Sequence, residues 1–515
     1  MFKSLFSKKN FPWPVILFSL YPVIALLQAN LGQIRAADVL RPAGTCLLLG
    51  IVIFIFLLLI TRNPQKAGIF SAILLIVFFS YGFLYQSLQN ASEPFNLLAH
   101  HKILLSILVV LLAGIFFWLI RRSTAVHLVH QIILVMGIAA VAIPSFQIAF
   151  WLVQNNILPS ISKDDHQVLA GVKTGDPNSR PDIYYIILDS YTRQDTMKNG
   201  IGYDDSTFLD QLRALGFYVA DCAQSNYSQT HLSLTSTLNM TYIHGVIDEN
   251  GQKGPVLYKS WRKSFQQSMV TETLKSQGYR LMTFESNYPW LTFDGAQMIP
   301  LNLNGITPFE GLLMDQSVIS AVPDSYLTGI DQDAINKRKY QSIEYVLNRT
   351  EQLPADAGPK FVFIHMSVPH PPFVFGPDGQ FQTVAGDKSE FDDNYTSADY
   401  LQGYKNQSMF ISQRIMGVLK ALIADSAQLP IIIVQGDHGP SHLTDNDRMN
   451  ILNAIYLPGA SKDVFYPTMS PVNSFRVIFN TYFGEDLSLL PDTAYYTKNA
   501  SSTKFITLTN TCSTK

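Results

Sequence analysis

A chain of 515 residues is too long for one ordinary domain. Hydrophobic residues make up 47% and charged residues 15%, and the formal net charge of -2 gives no sign of nucleic-acid binding. The three cysteines, Cys46, Cys222 and Cys512, have neither the spacing of a zinc ribbon nor the density of a disulfide scaffold.

The apolar residues concentrate before about residue 154. Five segments, at about 12–30, 44–61, 69–88, 103–120 and 131–153, are long enough to cross a bilayer, which takes roughly 20 residues of helix. One such segment could be a buried core helix. Five in succession, separated by short polar breaks, predict a membrane domain over 1–154. A cleaved signal peptide fits poorly, because the first segment is long, holds Pro14 and Pro22, and is followed by further spans. Orientation follows from basic residues in the short loops. Lys3, Lys8, Lys9, Arg62, Lys66, Arg121 and Arg122 fall on one side, and Arg35, Arg41 and Lys102 on the other. That distribution predicts a multi-pass cell-membrane protein with everything after about residue 154 outside the cytoplasm. Residues 155–180 are polar and rich in Asp, Ser, Gly and Pro, and read as a linker. Cys46 lies inside the second span and reads as a packing residue. Cys222 and Cys512 share the oxidising side, which permits a disulfide; two free thiols are the alternative.

From residue 181 to 515 apolar strands alternate with helical patterns. Strands are predicted at 183–188, 217–219, 279–284, 361–365, 431–434 and 453–457. Helices are predicted at 206–215, 271–276, 335–353 and 398–424. The fold class is therefore α/β, with a largely parallel sheet covered by helices on both faces.

Two of these strands end in an aspartate, Asp189 and Asp437, and His438 follows the second. Open α/β sheets bind ligands at the carboxyl edge of their strands, and carboxylates with an imidazole suit a divalent metal. Asp437-His438-Gly439 alone would also make an ordinary turn. A hydroxyl-rich stretch runs from Ser225 to Thr237. A metal-activated hydroxyl at a helix start is a plausible nucleophile, whereas the same stretch could simply cap a helix. His365 and His370 lie just past another strand, in a Pro-rich segment. Either could be a structural histidine, but His370, flanked by Pro369 and Pro371, is the better placed to meet an anionic oxygen.

This order of motifs resembles the alkaline phosphatase superfamily, in particular its sulfatase-like branch and the membrane-bound lipoteichoic acid synthases and phosphoethanolamine transferases. The resemblance covers nearly the whole chain, including the five spans before an extracytoplasmic catalytic domain. It implies that Asp189, Asp437 and His438 bind metal, with Asp189 where the lipoteichoic acid synthases usually carry Glu. It implies Thr230 as nucleophile and metal ligand, although Ser228 and Thr235 remain open from the residues alone. His370 matches a substrate-binding histidine, and the loop ending in Trp290 is similar to one that reaches the substrate. Pro471 to Val477 resembles the helix after the last core strand. Two features depart from true sulfatases. The Cys/Ser-x-Pro-x-Arg setting required for formylglycine is absent, and Ser190 stands where a second aspartate would follow Asp189.

The resemblance implies a metal-dependent transferase or hydrolase of phosphodiesters or related esters at the outer membrane face. Its cofactor would be manganese, zinc or magnesium, and its substrate a lipid or cell-envelope phosphoester. No nucleic acid and no obligate protein partner is expected. The alternatives are a sulfatase-like hydrolase without formylglycine and a non-catalytic, membrane-anchored binding module.

Overall fold

The computed structural model describes residues 12–31, 36–89, 91, 95–121, 126–157, 180–243, 255–286, 290–301, 303, 305–322, 332–384, 387–389, 392–393, 396–498 and 504–512. Most of the expected linker, the basic residues Lys3, Lys8, Lys9, Arg35 and Arg122, and residues 287–289 lie outside this set.

The chain divides into two compact units. Among the described residues, one holds five apolar helices: α1 (Trp13–Ala29), α2 (Ala36–Thr61), α3 (Pro64–Gln89), α4 (His101–Arg121) and α5 (Val126–Ile157). Four of them, all but α1, are long and apolar enough to cross a membrane by length and composition. With 17 residues, α1 is shorter than a full span, so the expected count of five is approximate.

The second unit is built on a seven-stranded sheet. Its strands are β1 (Ile183–Leu188), β2 (Tyr218–Val219), β3 (Arg280–Phe284), β4 (Gln297–Ile299), β5 (Lys360–Met366), β6 (Ile431–Gln435) and β7 (Asn453–Tyr456). Their order is β2-β7-β6-β1-β5-β3-β4. The centre is parallel, and β7 runs antiparallel to both β6 and β2 at one side. All six residues of β1 are buried, as a strand covered on both faces requires. Each large apolar side chain there contributes about 1.5–3 kcal/mol by leaving water, which makes β1 the anchor of the sheet.

Successive side chains point to opposite faces. Tyr184, Ile186 and Leu188 pack in one cluster with α6 (Ser206–Ala214), α11 (Gln332–Gln352) and α12 (Ser397–Asp425). On the other face Tyr185 meets Phe475 of α13 (Pro471–Tyr482) edge-on, with ring centres 5.3 Å apart. Phe363 of β5 meets Phe265 of α8 (Pro255–Gln266) in the same way at 5.7 Å. Helix α7 (Thr230–Asn239) packs against α8 and α13, and α9 (Met269–Ser276) leads into β3. Helix α10 (Pro308–Asp315) lies between β4 and α11 in sequence, yet it belongs to the unit of apolar helices.

The expected strands and helices are present, with ends shifted by a few residues. The sequence reading missed β4, whose Gln297 and Met298 are exposed and whose three residues carry too short a pattern, and α8.

Candidate active site

Parallel pairing sets the location of the site. In the register of β1 with its neighbours, Leu188 stands beside Met366 and Ile187 beside Gln435. The carboxyl ends of β5, β1 and β6 are thus level, and Asp189 and Asp437 emerge from adjacent strands. The Asp189 N–H still donates to Met366 O at 2.9 Å, so the first residue past the strand is held by the sheet.

Two glycines let the second strand tip come close. A Cβ on Gly436 would lie 2.2 Å from Tyr191 O, and one on Gly439 would lie 2.4 Å from Asp447 O. Glycine is therefore required by backbone crowding on both sides of Asp437-His438. Ser190 adopts φ +68, a left-handed conformation unusual for a residue with a side chain. Its N–H donates to Asp437 Oδ1 at 3.0 Å, and its carbonyl accepts from the Tyr404 hydroxyl at 2.5 Å. These bonds hold a strained turn in place at the point where the two tips meet.

Asp189, Asp437 and His438 are all buried, and each offers one ligand atom within 4.8 Å of the others. His438 Nε2 lies 3.7 Å from Asp189 Oδ1 and 3.5 Å from Asp437 Oδ2. Its Nδ1 is 3.0 Å from the Gly439 carbonyl, which can only accept. That contact assigns the ring proton to Nδ1 and turns the Nε2 lone pair toward the carboxylates. Ser190 Oγ lies 3.2 Å from both Asp189 Oδ1 and His438 Nδ1.

Charge states follow from these surroundings. Burial and the Arg448 guanidinium push the His438 imidazole down to about 4, against the pull of Asp437 and Asp189. The ring is then neutral at pH 7. Burial pushes the Asp189 carboxyl up, but His370, His365 and His438 outweigh it, and the group lies below the ordinary carboxylate range. Asp437 Oδ2 is buried with no hydrogen-bond partner. A buried carboxylate oxygen costs free energy in that state unless a cation or donor meets it. Two carboxylates, a neutral imidazole and this unmet oxygen fit a divalent ion.

Thr230 is the first residue of α7, and its Oγ1 lies 3.1 Å from His438 Nε2. The first-turn N–H groups of a helix lack partners within it and favour anions. Of the three hydroxyls left open by the sequence, Ser228 is bonded to the main chain of Thr497 and buried. Thr235 is fully buried more than one turn into the helix. Thr230 is the partly exposed one that meets His438.

His365 Nε2 lies 3.4 Å from Asp189 Oδ2, at the edge of the cluster. The His370 ring centre is 6.4 Å from that of His438, and the His370 N–H donates to Asp189 O at 3.2 Å. The turn that carries His370 is fixed from behind by Lys339 Nζ, which donates to His370 O at 2.8 Å and Pro372 O at 2.9 Å. Trp290 is buried, edge-on to Trp261 at 5.3 Å, and Trp261 in turn lies 4.3 Å from the ring of His231. Its link to Thr230 therefore runs through two other rings. Cys222 and Cys512 are joined by a disulfide, with Cα atoms 5.5 Å apart.

Arg448 escaped the sequence reading. Its Nη2 lies 3.3 Å from His438 Nε2, and its Nε donates to Ser228 O at 3.2 Å. A guanidinium thus borders the space in front of Thr230. Nothing in the spacing of the polar loop after Gly439 marks this arginine, since a fold-back of that loop brings it in.

Comparison with known proteins adds a family match. The sulfatase family matches residues 181–467. No curated protein matches the sequence. Among solved structures, the chain is similar to the C-terminal periplasmic domain of EcEptC from Escherichia coli in complex with Zn, at 13% identity and TM-score 0.42, covering 65% of this chain and 93% of that one. It is similar to the integral membrane lipooligosaccharide phosphoethanolamine transferase A of Neisseria meningitidis at 13% identity and TM-score 0.37, covering 86% and 88%. A putative sulfatase from Bacteroides thetaiotaomicron is similar at 10% identity and TM-score 0.39, covering 62% and 78%.

Proposed function

The chain belongs to the sulfatase family and is an enzyme of the alkaline phosphatase superfamily, an ester transferase or hydrolase; from that premise we propose a metal-dependent reaction on phosphodiesters, through a covalent Thr230 intermediate. The substrates are lipid headgroups or cell-envelope polymers. The organisation is a multi-pass membrane domain over 1–154, a linker over 155–180, and an extracytoplasmic catalytic domain over 181–515. Five apolar helices, four of them long and apolar enough to span, with basic residues biased seven to three between the loops when all five cross, support that placement.

The observation that carries the reading is the Thr230 hydroxyl, 3.1 Å from His438 Nε2 at the start of a helix and beside two buried aspartates. Asp189, Asp437, His438 and the Thr230 hydroxyl would hold manganese, zinc or magnesium. A bound divalent ion lowers the pKa of a hydroxyl and offsets phosphate charge. Thr230 Oγ bonds to phosphorus as the bond to the leaving oxygen breaks. The threonine proton passes to water, and the leaving oxygen takes up a proton from water or His370. Arg448, 3.3 Å from His438 Nε2, and the N-terminus of α7 would face the phosphoryl oxygens. An acceptor hydroxyl, or water, then displaces Thr230 and regenerates it.

The formylglycine route of sulfate-ester hydrolysis is disfavoured by the disulfide at Cys222, which takes that sulfur out of play, and by a threonine at the helix start. The test is to trap the protein during turnover of a chromogenic phosphodiester and map the phosphorylated residue by mass spectrometry. Phosphate on Thr230 is expected. Phosphate on Ser228 or Thr235, or none in a protein that turns over, overturns the threonine assignment.

A further inference from the structure

Helix α10 lies in sequence between strands of the catalytic sheet, but it packs among the apolar helices. Phe309 and Leu313 form one buried cluster with Val23 and Leu26 of α1 and Cys46 of α2. Arg41 of α2 donates from Nε to Glu310 Oε1 at 2.6 Å, pairs through Nη2 with Glu310 Oε2, and donates to Gly305 O at 2.6 Å. A fork-to-carboxylate pair of this kind fixes orientation as well as charge. The same Glu310 closes a capping box with Thr307 at the start of α10.

The backbone just past α10 is held equally closely. Gly82 N of α3 donates to Gln316 O at 2.9 Å. A Cβ on Gly82 would lie 1.9 Å from Asp315 O, so no other residue fits there without movement.

These contacts share one property. Val23 and Leu26 lie toward the end of α1, Arg41 and Cys46 toward the start of α2, and Gly82 toward the end of α3. In a chain that crosses back and forth, those three ends are on the same side. The loop charges place that side outside the cytoplasm. An independent packing observation and the charge count thus agree on the side to which residues 305–322 dock.

We infer that residues 305–322 are a docking segment, sent from the catalytic sheet's chain to the outer ends of α1, α2 and α3, which keeps catalysis on membrane-embedded lipid substrates through the Arg41–Glu310 latch. The linker before residue 181 is then one of several chain connections to the bundle, since both the entry to and the exit from the docking segment are others. The inference rests on the proposed lipid-phosphodiester activity for its kinetic consequence and on packing alone for the contact.

The full chain in detergent and in lipid vesicles tests both parts. With a protease site inserted within residues 158–179, an Arg41→Cys/Glu310→Cys pair should be joined by a short bis-maleimide and keep the cut fragments together. An Arg62→Cys/Glu310→Cys pair should not, because Arg62 is at the other end of α2. Failure of the first pair to join, or equal joining of both, overturns the contact. Arg41→Glu and Glu310→Arg should each lower turnover of a vesicle lipid phosphodiester by about tenfold through lost effective concentration. Both should leave turnover of a soluble chromogenic diester unchanged, and the double swap should restore the lipid reaction. Equal loss on both substrates, or no loss on the lipid, overturns the kinetic role. A wild type inactive on the soluble diester would instead count against the proposed chemistry and leave the cross-link result standing.

Discussion

The site has two halves, and they are held by different means. Asp189, Asp437 and His438 sit on the tips of buried parallel strands, fixed by the sheet and by two crowded glycines. Thr230 stands at the end of an irregular segment, 222–229, whose supports come from far along the chain. Ser228 Oγ is bonded to the Thr497 main chain in both directions at 2.9 Å. The Tyr495 N–H donates to Asn226 O at 3.0 Å, and Tyr227 is buried among Tyr242, Tyr495 and Phe505. The disulfide at Cys222 and the bond from Asn510 Nδ2 to Cys222 O at 2.8 Å tie the same segment to the last described residues. One half takes its geometry from secondary structure and the other from tertiary ties. Mutations in the two halves should therefore fail in different ways.

The largest separation comes from the groups proposed to react. Thr230→Ala should lower phosphodiester turnover by at least about 10³-fold while leaving bound metal, measured by elemental analysis, within a small factor of the parent. Asp437→Ala should lose both together, since it removes a buried carboxylate proposed to hold the metal in the strand-borne half. Retained metal in Asp437→Ala, or loss of metal equal to that of Asp437→Ala in the threonine variant, would break the division between the halves.

A smaller effect should come from the tertiary ties. Cys222→Ser/Cys512→Ser frees the distal segment without touching any group that faces the cluster. It should lower kcat by about tenfold, as misplacement of a nucleophile by a fraction of an ångström does, with metal content unchanged. Reductant applied to the parent should reproduce the loss, and the double variant should be insensitive to it. A double variant as active as the parent would show that the hydrogen bonds at Thr497 suffice to hold Thr230.

The same contrast explains what could be read from the residues alone. Ile183 to Leu188 and Ile431 to Val434 are continuous apolar runs, so their strand character and the aspartates at their ends were legible. The helix start at Thr230 was legible as a hydroxyl-rich stretch ahead of Leu232 and Leu234. The residues alone left Ser228 and Thr235 open beside Thr230, which the resemblance singled out, because the choice depends on Thr497 claiming Ser228. Arg448 and Lys339 were invisible for a related reason. Each acts on the site through a main-chain carbonyl or a ring brought near by folding, and neither needs a recognisable neighbour in sequence. The docking of α10 on the apolar helices was likewise illegible, since no helix was predicted over its eight residues and its partner Arg41 lies 269 residues away in sequence.

The smallest effect sharpens the strand-borne half from behind. The Tyr191 hydroxyl donates to Asp205 Oδ2 at 3.1 Å and meets Ser412 Oγ at 2.7 Å, and Tyr191 O accepts from the Leu452 N–H beside Gly436. Burial pushes the Asp205 carboxyl from its ordinary 3.8 up to about 6, against the Tyr191 hydrogen bond. The folded state then holds this proton more tightly than the unfolded state. Its contribution to stability is complete below the unfolded value and is lost as pH rises through about 6. The loss amounts to about 3 kcal/mol across that window. Asp205→Asn keeps the uncharged form at every pH. It should remove that part of the pH slope of thermal unfolding between pH 4 and 6.5, and leave the variant more stable than the parent at pH 7.5. Turnover should change little, because Asp205 supports the backbone behind Asp189 without facing the cluster. A slope that survives in Asp205→Asn would assign the titration to another group, and a loss of bound metal in the same variant would show that the strand tips depend on tertiary ties as the Thr230 segment does.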